Sequence, residues 1–531
     1  MVGIIEDAKV LALALSGYFV AAISTYFVIF ITYQIFLHPL SKYPGPFVAK
    51  LTDAYNGFFA YSKRLHLTTW QNQLKYGPVV RQGPNKLIFS SVTALRDIYK
   101  NDKITKPKAY MALGPGLTGY TVFTATDRRL HRARRQLIGQ VLTNRSMRTF
   151  EPVMIEQVNI YLQKLLAHSQ CSQPVEMTKI TRQLGFNIAG ILGFGYDLGL
   201  QTEETNQFML PMLDAGTLWS SVFLQYPGAR RFRLALVTVH AFRTLREKYL
   251  GIIEKMISSR TALAKDAKHD LYSFVSEALN DQSDNGLRQS DLWGEANLFL
   301  TAAGDTTKTA MSAAFFYLTR NPDCYQRLAD EIRTTFSAGS EIQGSALTSC
   351  QYLRACIDET LRMSPPASGT LWRELSSDSG DQSFIVDGHV IPRGTIVGVS
   401  TYSIHHSEDY FPDSFAFRPE RWIDDSITPE VKQIMREAFT PFSVGPRSCA
   451  GTTMAYMEVG LTIAKTLWYF DFEPAPGRLG HIGAGSPALG KGRQRPGEFQ
   501  IYDVFSATHE GPYLVFNPRD GGGLKDLETK E

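Results

Sequence analysis

An uncharged run from Val10 to Leu37 limits most strongly how this chain can fold. It reads "VLALALSGYFVAAISTYFVIFITYQIFL" and exceeds the roughly 20 apolar residues that a helix needs to cross a bilayer. Lipid offers no water to backbone N–H and C=O groups, so a single run of this kind must be helical there. A cleaved signal peptide is the competing reading. Its apolar stretch is about 7–15 residues and ends at a small-residue cleavage site, and neither property is found here. Glu6 and Asp7 precede the run, whereas Lys42, Lys50, Lys63 and Arg64 follow it. The positive-inside rule then places residues 1–9 across the membrane, the anchor at 10–37, and the bulk of the chain in the cytosol. "HPLSKYPGP" opens a Pro-rich hinge over 38–50.

A length of 531 residues would suit several domains. No linker interrupts residues 51–519, however, so one catalytic domain is expected there, followed by a polar tail at 520–531. A net charge of +4 is too mild to imply a nucleic-acid partner. The cysteines (Cys171, Cys324, Cys350, Cys356 and Cys449) are sparse and lack CxxC spacing. They suggest neither a disulfide framework nor a zinc cluster, and they suit a reducing compartment.

Strand character shows at "VVRQG" and "KLIFSS", again across "SFIVDGHVIPRGTIVGVSTY", and at "FQIYDV" and "PYLVF". From about Thr126 the pattern is mainly helical, which predicts a mainly α body with a smaller β portion. Pro474 to Gly497 is rich in Gly and Pro and reads as a loop.

"FSVGPRSCAG" (Phe442 to Gly451) places Cys449 in a loop of Gly, Pro, Ser and Arg, unlike a core cysteine among apolar neighbours. Met454, Met457, Leu461, Ala464 and Leu467 follow at helical spacing. Cys449 therefore stands at a helix N-terminus, where a lowered thiol pKa is expected.

Four other stretches bear on that cysteine. "DLWGEANLFLTAAGDTTKTAMSAAFFYLTRNP" is a long apolar helix, capped by Ser290 or Asp291, with Asp305, Thr306 and Thr307 at its middle. Thr306 either bonds the Ala302 carbonyl one turn back or loosens the helix into a small polar groove beside Gly304. "YLRACIDETLRMSPP" places Glu359 and Arg362 on one helix face; if buried, that pair needs further partners. "FRPERW" can supply one through Arg421. "DRRLHRARRQLIGQVL" puts His131 and Arg135 on one face with Arg128 and Arg132. Such a row suits a dianionic ligand inside and an acidic protein outside.

Together these stretches resemble the cytochrome P450 family of heme-thiolate monooxygenases, in the same order over nearly the whole chain. "FSVGPRSCAG" matches the family's FxxGxRxCxG heme signature, "ETLR" its ExxR element, "FRPERW" its PERF-like element and "AAGDTT" its oxygen-binding helix motif. The resemblance implies that fold: a long central helix over heme b, with the cysteine loop beneath. Cys449 would be the axial iron ligand and Phe442 a shield on the sulfur side. His131, Arg135, Arg373 and Arg447 would hold the propionates. Glu359, Arg362 and Arg421 would form a buried structural network, and Asp305 and Thr306 a proton-relaying pair.

The family departs from this chain at four places. Ala303 stands where Gly is preferred, His131 where many members have Trp, and Trp422 replaces Phe as a change of shape only. The 474–497 loop is longer than usual. Gly304 could compensate for Ala303.

No GxGxxG follows a strand and no flavin module is present, so electrons would come from NADPH through a separate reductase, with cytochrome b5 as a second donor. Exposed Arg128, Arg132 and Arg134 would steer an acidic flavoprotein. The pocket would draw on "YMALGPGLTGYTVF", "TLWSSVFLQY", Phe299 to Ala303, "ASGTL" and "IYDVF". These stretches suit a hydrophobic, neutral small molecule. The hinge and the "AAGDTTKTA" run resemble fungal microsomal members that act, in the endoplasmic reticulum membrane, on terpenoid, polyketide or alkaloid intermediates. Two alternatives stand beside this reading: a heme-thiolate isomerase or dehydratase working without external O2, and a membrane heme-binding sensor without catalysis.

Overall fold

The computed structural model describes residues 2–113, 120–232, 243–264, 267, 270–273, 289–377, 379–380, 383–519 and 527. Part of the "YMALGPGLTGYTVF" stretch and nearly all of the polar tail lie outside the described residues.

The helices that bear on the site are α1 (Val2–Thr32), α2 (Phe47–Leu51), α3 (Ala54–Tyr61), α4 (Leu65–Tyr76), α5 (Val92–Tyr99), α6 (Arg128–Val141), α7 (Asn144–Gln170), α8 (Met177–Phe194) and α9 (Met209–Gln225). They continue with α10 (Arg243–Thr261), α11 (Gln289–Arg320), α12 (Pro322–Thr335), α13 (Gln351–Met363), α14 (Pro429–Ala438) and α15 (Thr452–Tyr469). The strands are β1 (Val79–Gly83), β2 (Lys86–Phe89), β3 (Ile104–Thr105), β4 (Val175–Glu176), β5 (Arg373–Leu375), β6 (Phe384–Val386), β7 (His389–Ile391), β8 (Ile396–Val399), β9 (Phe470–Pro474) and β10 (Tyr513–Pro518).

Local sequence accounts for many of these boundaries. Asp127 caps α6 by accepting from Leu130 N at 2.7 Å, and Ser91 caps α5 by accepting from Ala94 N at 3.0 Å. β6 and β7 pair through the two-residue turn Asp387-Gly388, both at positive φ, as a tight hairpin requires. Strands run β1-β2-β8-β5-β3 in one sheet and β4-β10-β9 in a second. The pair β2–β8 is parallel, and the other named pairs are antiparallel. "FQIYDV" does not become a strand; Phe499 and Tyr502 form isolated bridges only. Its buried side chains alternate poorly, and the glutamine, aspartate and arginine around it find partners in loops instead.

Two features place the site. α11 runs through the largest core cluster, and its second half, from Ala310 to Leu318, is buried on all sides. α8 lies against it at unusually close range. A Cβ on Gly304 would come within 2.5 Å of the Phe186 ring, and one on Gly185 within 2.9 Å of Thr307 Oγ1. Gly304 thus serves helix packing on the α8 side and does not widen a groove or compensate for Ala303.

The 38–50 segment is built into the β lobe rather than standing clear of it, since Leu40 and Tyr43 are buried in the core with Val79, Leu87 and Phe89. The 474–497 loop is likewise anchored. Arg493, buried, donates to Gln500 Oε1 at 3.1 Å and Ile501 O at 3.0 Å, and Arg495 covers the Phe415 ring at 3.4 Å. These contacts explain how so Gly- and Pro-rich a stretch keeps one path.

Candidate active site

The cysteine loop is shaped by its glycines. Gly445 has φ +77°, and a Cβ there would come within 2.0 Å of Tyr99 O, so the loop lies directly on the end of α5. Cys449 N then donates to Phe442 O at 2.8 Å, which closes the loop two residues before the Gly451 cap of α15. Cys449 keeps accessible surface, yet burial is the largest influence on its thiol. Burial raises the thiol above its ordinary value, and the Gly451 N–H, Arg135 and Thr452 lower it without prevailing. The expected lowering by the helix N-terminus is therefore outweighed by desolvation.

α6 joins this loop to the long helix. One face carries His131 and Arg135, whose Nη2 reaches Cys449 O at 3.4 Å. The other carries Arg134, which is buried and paired with Asp291 at 2.9 Å and Glu295 at 3.0 Å on α11. Glu295 Oε1 also accepts from Val122 N at 2.7 Å. Arg134 is thus removed from the exposed basic row proposed for a partner; Arg129 and Arg132 remain on the surface, and Arg128 is half-buried. The sequence could not show this, because both carboxylates are supplied from more than 150 residues downstream. α11 begins at Gln289, with Asp291 inside its first turn and drawn to Arg134 rather than capping.

The charges that act on His131 are all positive. Burial first, then Arg447, Lys106, Arg135 and Arg373, push its imidazole down to about 3, so it is neutral at physiological pH. Arg447 falls to about 10 through burial and then Arg373, and Lys106 falls well below its usual value through burial and then Arg373 and Arg447. Several of these groups lean on neutral acceptors: Arg447 Nη1 on Ala125 O at 2.7 Å, Arg373 Nη1 on Trp372 O at 2.8 Å, and Lys106 Nζ on Phe123 O at 2.6 Å. Asp127, which acts on Arg447, is committed to capping α6. Such a concentration of buried cations calls for an anion carrying more than one charge. Lys106 was missed in the sequence; the one local hint is its place after the two-residue β3 and before Pro107.

On α11 the threonines behave alike: Thr301, Thr306, Thr307 and Thr319 each donate to the carbonyl four residues back. Thr306 Oγ1 meets Ala302 O at 2.8 Å, so the local backbone bond is present and does not set it apart. Exposure separates it from its nearest threonines, because Thr307 and Thr309 are sealed at 4% and 0% while Thr306, like Thr301 and Thr319, keeps accessible surface, with the exposed Ala302 one turn before it. Asp305 points elsewhere. Its Oδ1 meets Lys308 Nζ at 2.9 Å and Arg182 Nε at 3.0 Å. Burial alone would raise Asp305, but Lys308 and Arg182 outweigh it and hold the carboxyl below its usual range. Neither bond joins Asp305 to Thr306. Phe299 turns toward α8, where a Cβ on Gly193 would meet its ring at 2.9 Å. Four of the five expected pocket stretches, or their immediate neighbours, converge in a cluster of Tyr110, Leu224 and Trp372 with Phe123 and Phe505 packed on it.

Behind the cysteine loop, Glu359 and Arg362 are both fully buried and joined at 2.8 and 2.9 Å. Arg421 Nε reaches Glu359 Oε1 at 3.0 Å, and the remaining Arg362 donors go to His405 O at 2.8 Å and Ser414 O at 2.7 Å. Trp422 is more than a change of shape: its Nε1 donates to Glu359 Oε2 at 3.1 Å. Phe442 lies half-buried beside Tyr456, with ring centroids 5.3 Å apart.

A cysteine with accessible surface at a helix start, a cluster of cations beside it and a long helix with an accessible threonine at its middle fit a heme-thiolate enzyme. The donor set fits the group: sulfur for iron, and cations for two carboxylates. The chain matches the cytochrome P450 family model over residues 39–482. It is 31% identical to the cytochrome P450 monooxygenase poxM of Penicillium oxalicum, covering 97% of this chain and 97% of that protein. The cytochrome P450 monooxygenase apf7 of Gibberella fujikuroi is 31% identical over 93% of this chain and 96% of its own length. For atnE of Emericella nidulans, also a cytochrome P450 monooxygenase, the figures are 29%, 93% and 95%. The chain belongs to the cytochrome P450 family and is a monooxygenase of that family, an oxidoreductase.

Proposed function

We propose that this protein is a membrane-anchored monooxygenase of fungal secondary metabolism. It would insert one oxygen atom of O2 into a hydrophobic, neutral small molecule, such as a terpenoid, polyketide or alkaloid intermediate, with electrons from NADPH through a separate reductase. The observation that carries this reading is the cation cluster beside Cys449. Its charge calls for a dianionic cofactor in the place where a cysteine sulfur is also available.

Bound heme would supply reductive activation of O2, releasing the second oxygen as water. The chain's own residues do the rest. Cys449 offers sulfur within a closed backbone loop, with the Gly451 N–H and Arg135 as the neighbours that favour its anionic form. His131, Arg135, Arg373 and Arg447, with Lys106 added, would grip the two carboxylates and lose their mutual repulsion in doing so. Thr306 presents an accessible hydroxyl that can hold or pass a proton. Asp305, kept ionised by Lys308 and Arg182, would join that relay only by exchanging one of them for Thr306. The aromatic cluster at Tyr110, Phe123, Leu224, Trp372 and Phe505 would shape the substrate side, which favours an apolar substrate.

α1 and the π-helical turn after it supply the one helix among the described residues long and apolar enough to cross a membrane, over Lys9–Leu37. That span supports an anchor in the endoplasmic reticulum membrane with the catalytic unit cytosolic. The exposed Arg129 and Arg132 suit an acidic reductase, with cytochrome b5 as a second donor.

The test is reconstitution in microsomes with NADPH reductase and a panel of neutral hydrophobic metabolites under ¹⁸O2. A product carrying one labelled atom, dependent on NADPH, is expected. Rearranged, unlabelled product formed without reductase would assign the protein to the isomerase class instead. Cys449→Ser should abolish the thiolate-type carbon monoxide spectrum, and its survival would refute the ligand assignment.

A further inference from the structure

Arg81, in the middle of β1, is fully buried, and among the described residues its guanidinium meets only neutral acceptors. Nη1 donates to Gln34 O at 2.7 Å, Nη2 to Gln34 Oε1 at 2.7 Å and Pro84 O at 2.9 Å, and Nε to Pro84 O at 3.2 Å. Gln34 lies in the π-helical turn Tyr33–Leu37 that ends the apolar helix. Gln34 is buried against the β lobe, while Tyr33, Phe36 and Leu37 beside it stay exposed.

A helix end leaves carbonyls without partners and carries partial negative charge, so a cation placed there is favoured. An unneutralised guanidinium sealed in protein is otherwise costly. The helix end therefore acts as Arg81's counter-charge, and Arg81 as the helix's cap. The same junction is fastened twice more. Arg81 N donates to Pro44 O at 2.7 Å, and His38 Nε2 pairs with Asn85 Oδ1 at 3.1 Å. Gly45 lies so close that a Cβ there would come within 2.2 Å of Arg81 O. α2 packs on both the π-helical turn and β1. Phe47 and Val48 on α2, and Phe58 and Tyr61 on α3, which packs on α2 and β1, are apolar and exposed.

We propose that the Arg81–Gln34 contact is a rigid joint: it caps the anchor helix and fixes the angle at which the catalytic unit meets a lipid bilayer, seating Phe47, Val48, Phe58 and Tyr61 in the interface. The inference rests on the anchor reading. The bilayer is the occupant because α2 packs on the end of the apolar helix, where Phe36 and Leu37 are also exposed, α3 packs on α2, and tyrosine and phenylalanine suit the headgroup level.

The experiment uses the full chain, loaded with heme, with phosphatidylcholine as the lipid. It compares wild type, Arg81→Met, Gln34→Leu and a control with a short Gly-Ser insertion after Leu37. Flotation with vesicles reads the anchor. Amide exchange over residues 34–46 and heme tilt in oriented bilayers read the joint. All four proteins should float. Wild type should hold one narrow tilt, and both substitutions should exchange on the order of tenfold faster over 34–46, with tilt broadened toward the control. Gln34→Leu leaves β1 intact and decides the matter if Arg81→Met does not fold. Wild-type protection and tilt in Gln34→Leu and in any folded Arg81→Met would reject the joint while leaving the anchor standing. Wild type remaining in solution when vesicles float would reject the anchor, and the joint with it.

Discussion

Trp422 Nε1 donates to Glu359 Oε2 at 3.1 Å and completes the shell of a carboxylate with no accessible surface. Burial would raise Glu359, but Arg362 and then Arg421 outweigh it and hold the carboxyl below its usual range, ionised. Trp422→Phe keeps an aromatic ring against Phe439, 4.7 Å away between centroids, and removes only the donor. A loss of about 1–3 kcal/mol is expected in urea unfolding. Glu359→Gln leaves Arg362 and Arg421 buried without their anion and should cost more, about 3–5 kcal/mol. Equal stability of wild type and Trp422→Phe would show that the bond carries no weight.

Whether a feature was legible in the sequence depended on where its partners lie. The cysteine loop and the long helix through Asp305 and Thr306 are set by near neighbours, and pattern alone locates them; the cap at Asp127 and the Asp387-Gly388 hairpin are equally local. The burial of Arg134, the Trp422 donor and the Arg81 clasp depend on residues from about 50 to over 160 positions away, and the setting of Lys106 depends on the still more distant Arg373 and Arg447. Beyond the place of Lys106 between β3 and Pro107, nothing local marks them out. The thiol of Cys449 illustrates a further limit: the helix terminus is readable, but the desolvation that outweighs it exists only after folding.

Glu458 on α15 is fully buried, and neither carboxyl oxygen has a hydrogen-bond partner in the described geometry. Its polar neighbour Thr307 commits its proton to Ala303 O at 2.9 Å. Thr307 favours the ionised form of Glu458, but burial outweighs that influence. Burial pushes it up to about 8 from the ordinary 4.5. The unfolded chain releases this proton near 4.5 while the folded chain keeps it, so stability falls as pH rises between about 4.5 and 8, then levels. Glu458→Gln should remove a slope approaching about 1.4 kcal/mol per pH unit in that window. Unfolding curves across the window that run parallel for the two proteins would disprove it.

Lys106 has opposite effects on the two forms of the enzyme. Its ammonium is 3.6 Å from the Phe123 ring centroid, among Arg373 and Arg447, and burial first, then those arginines, disfavours its charge. Lys106→Met keeps the apolar stem against the ring and removes the repulsion, so the heme-free protein should unfold at higher denaturant. With heme bound, the same change removes a partner for a carboxylate, and transfer of heme to an acceptor globin should run about tenfold faster. Both effects having the same sign would separate Lys106 from the cofactor site.

Thr306 is the last test, because its backbone bond does not distinguish it from its neighbours and its accessibility does. In Thr306→Ala the hydroxyl is lost, while Ala302 O, its bonding partner, stays within a helix already held by α8 and the core. Heme content and the carbon monoxide spectrum should be unchanged. Oxygenated product per NADPH should fall on the order of 10²-fold, the low end for a positioned proton donor, with the missing electrons recovered as peroxide. Thr307→Ala, sealed against Gly185 on α8, serves as the control: it should alter packing and stability without raising peroxide. Equal coupling in wild type and Thr306→Ala, or equal peroxide from both variants, would take the proton-handling role away from Thr306 and leave it to Asp305 or to water.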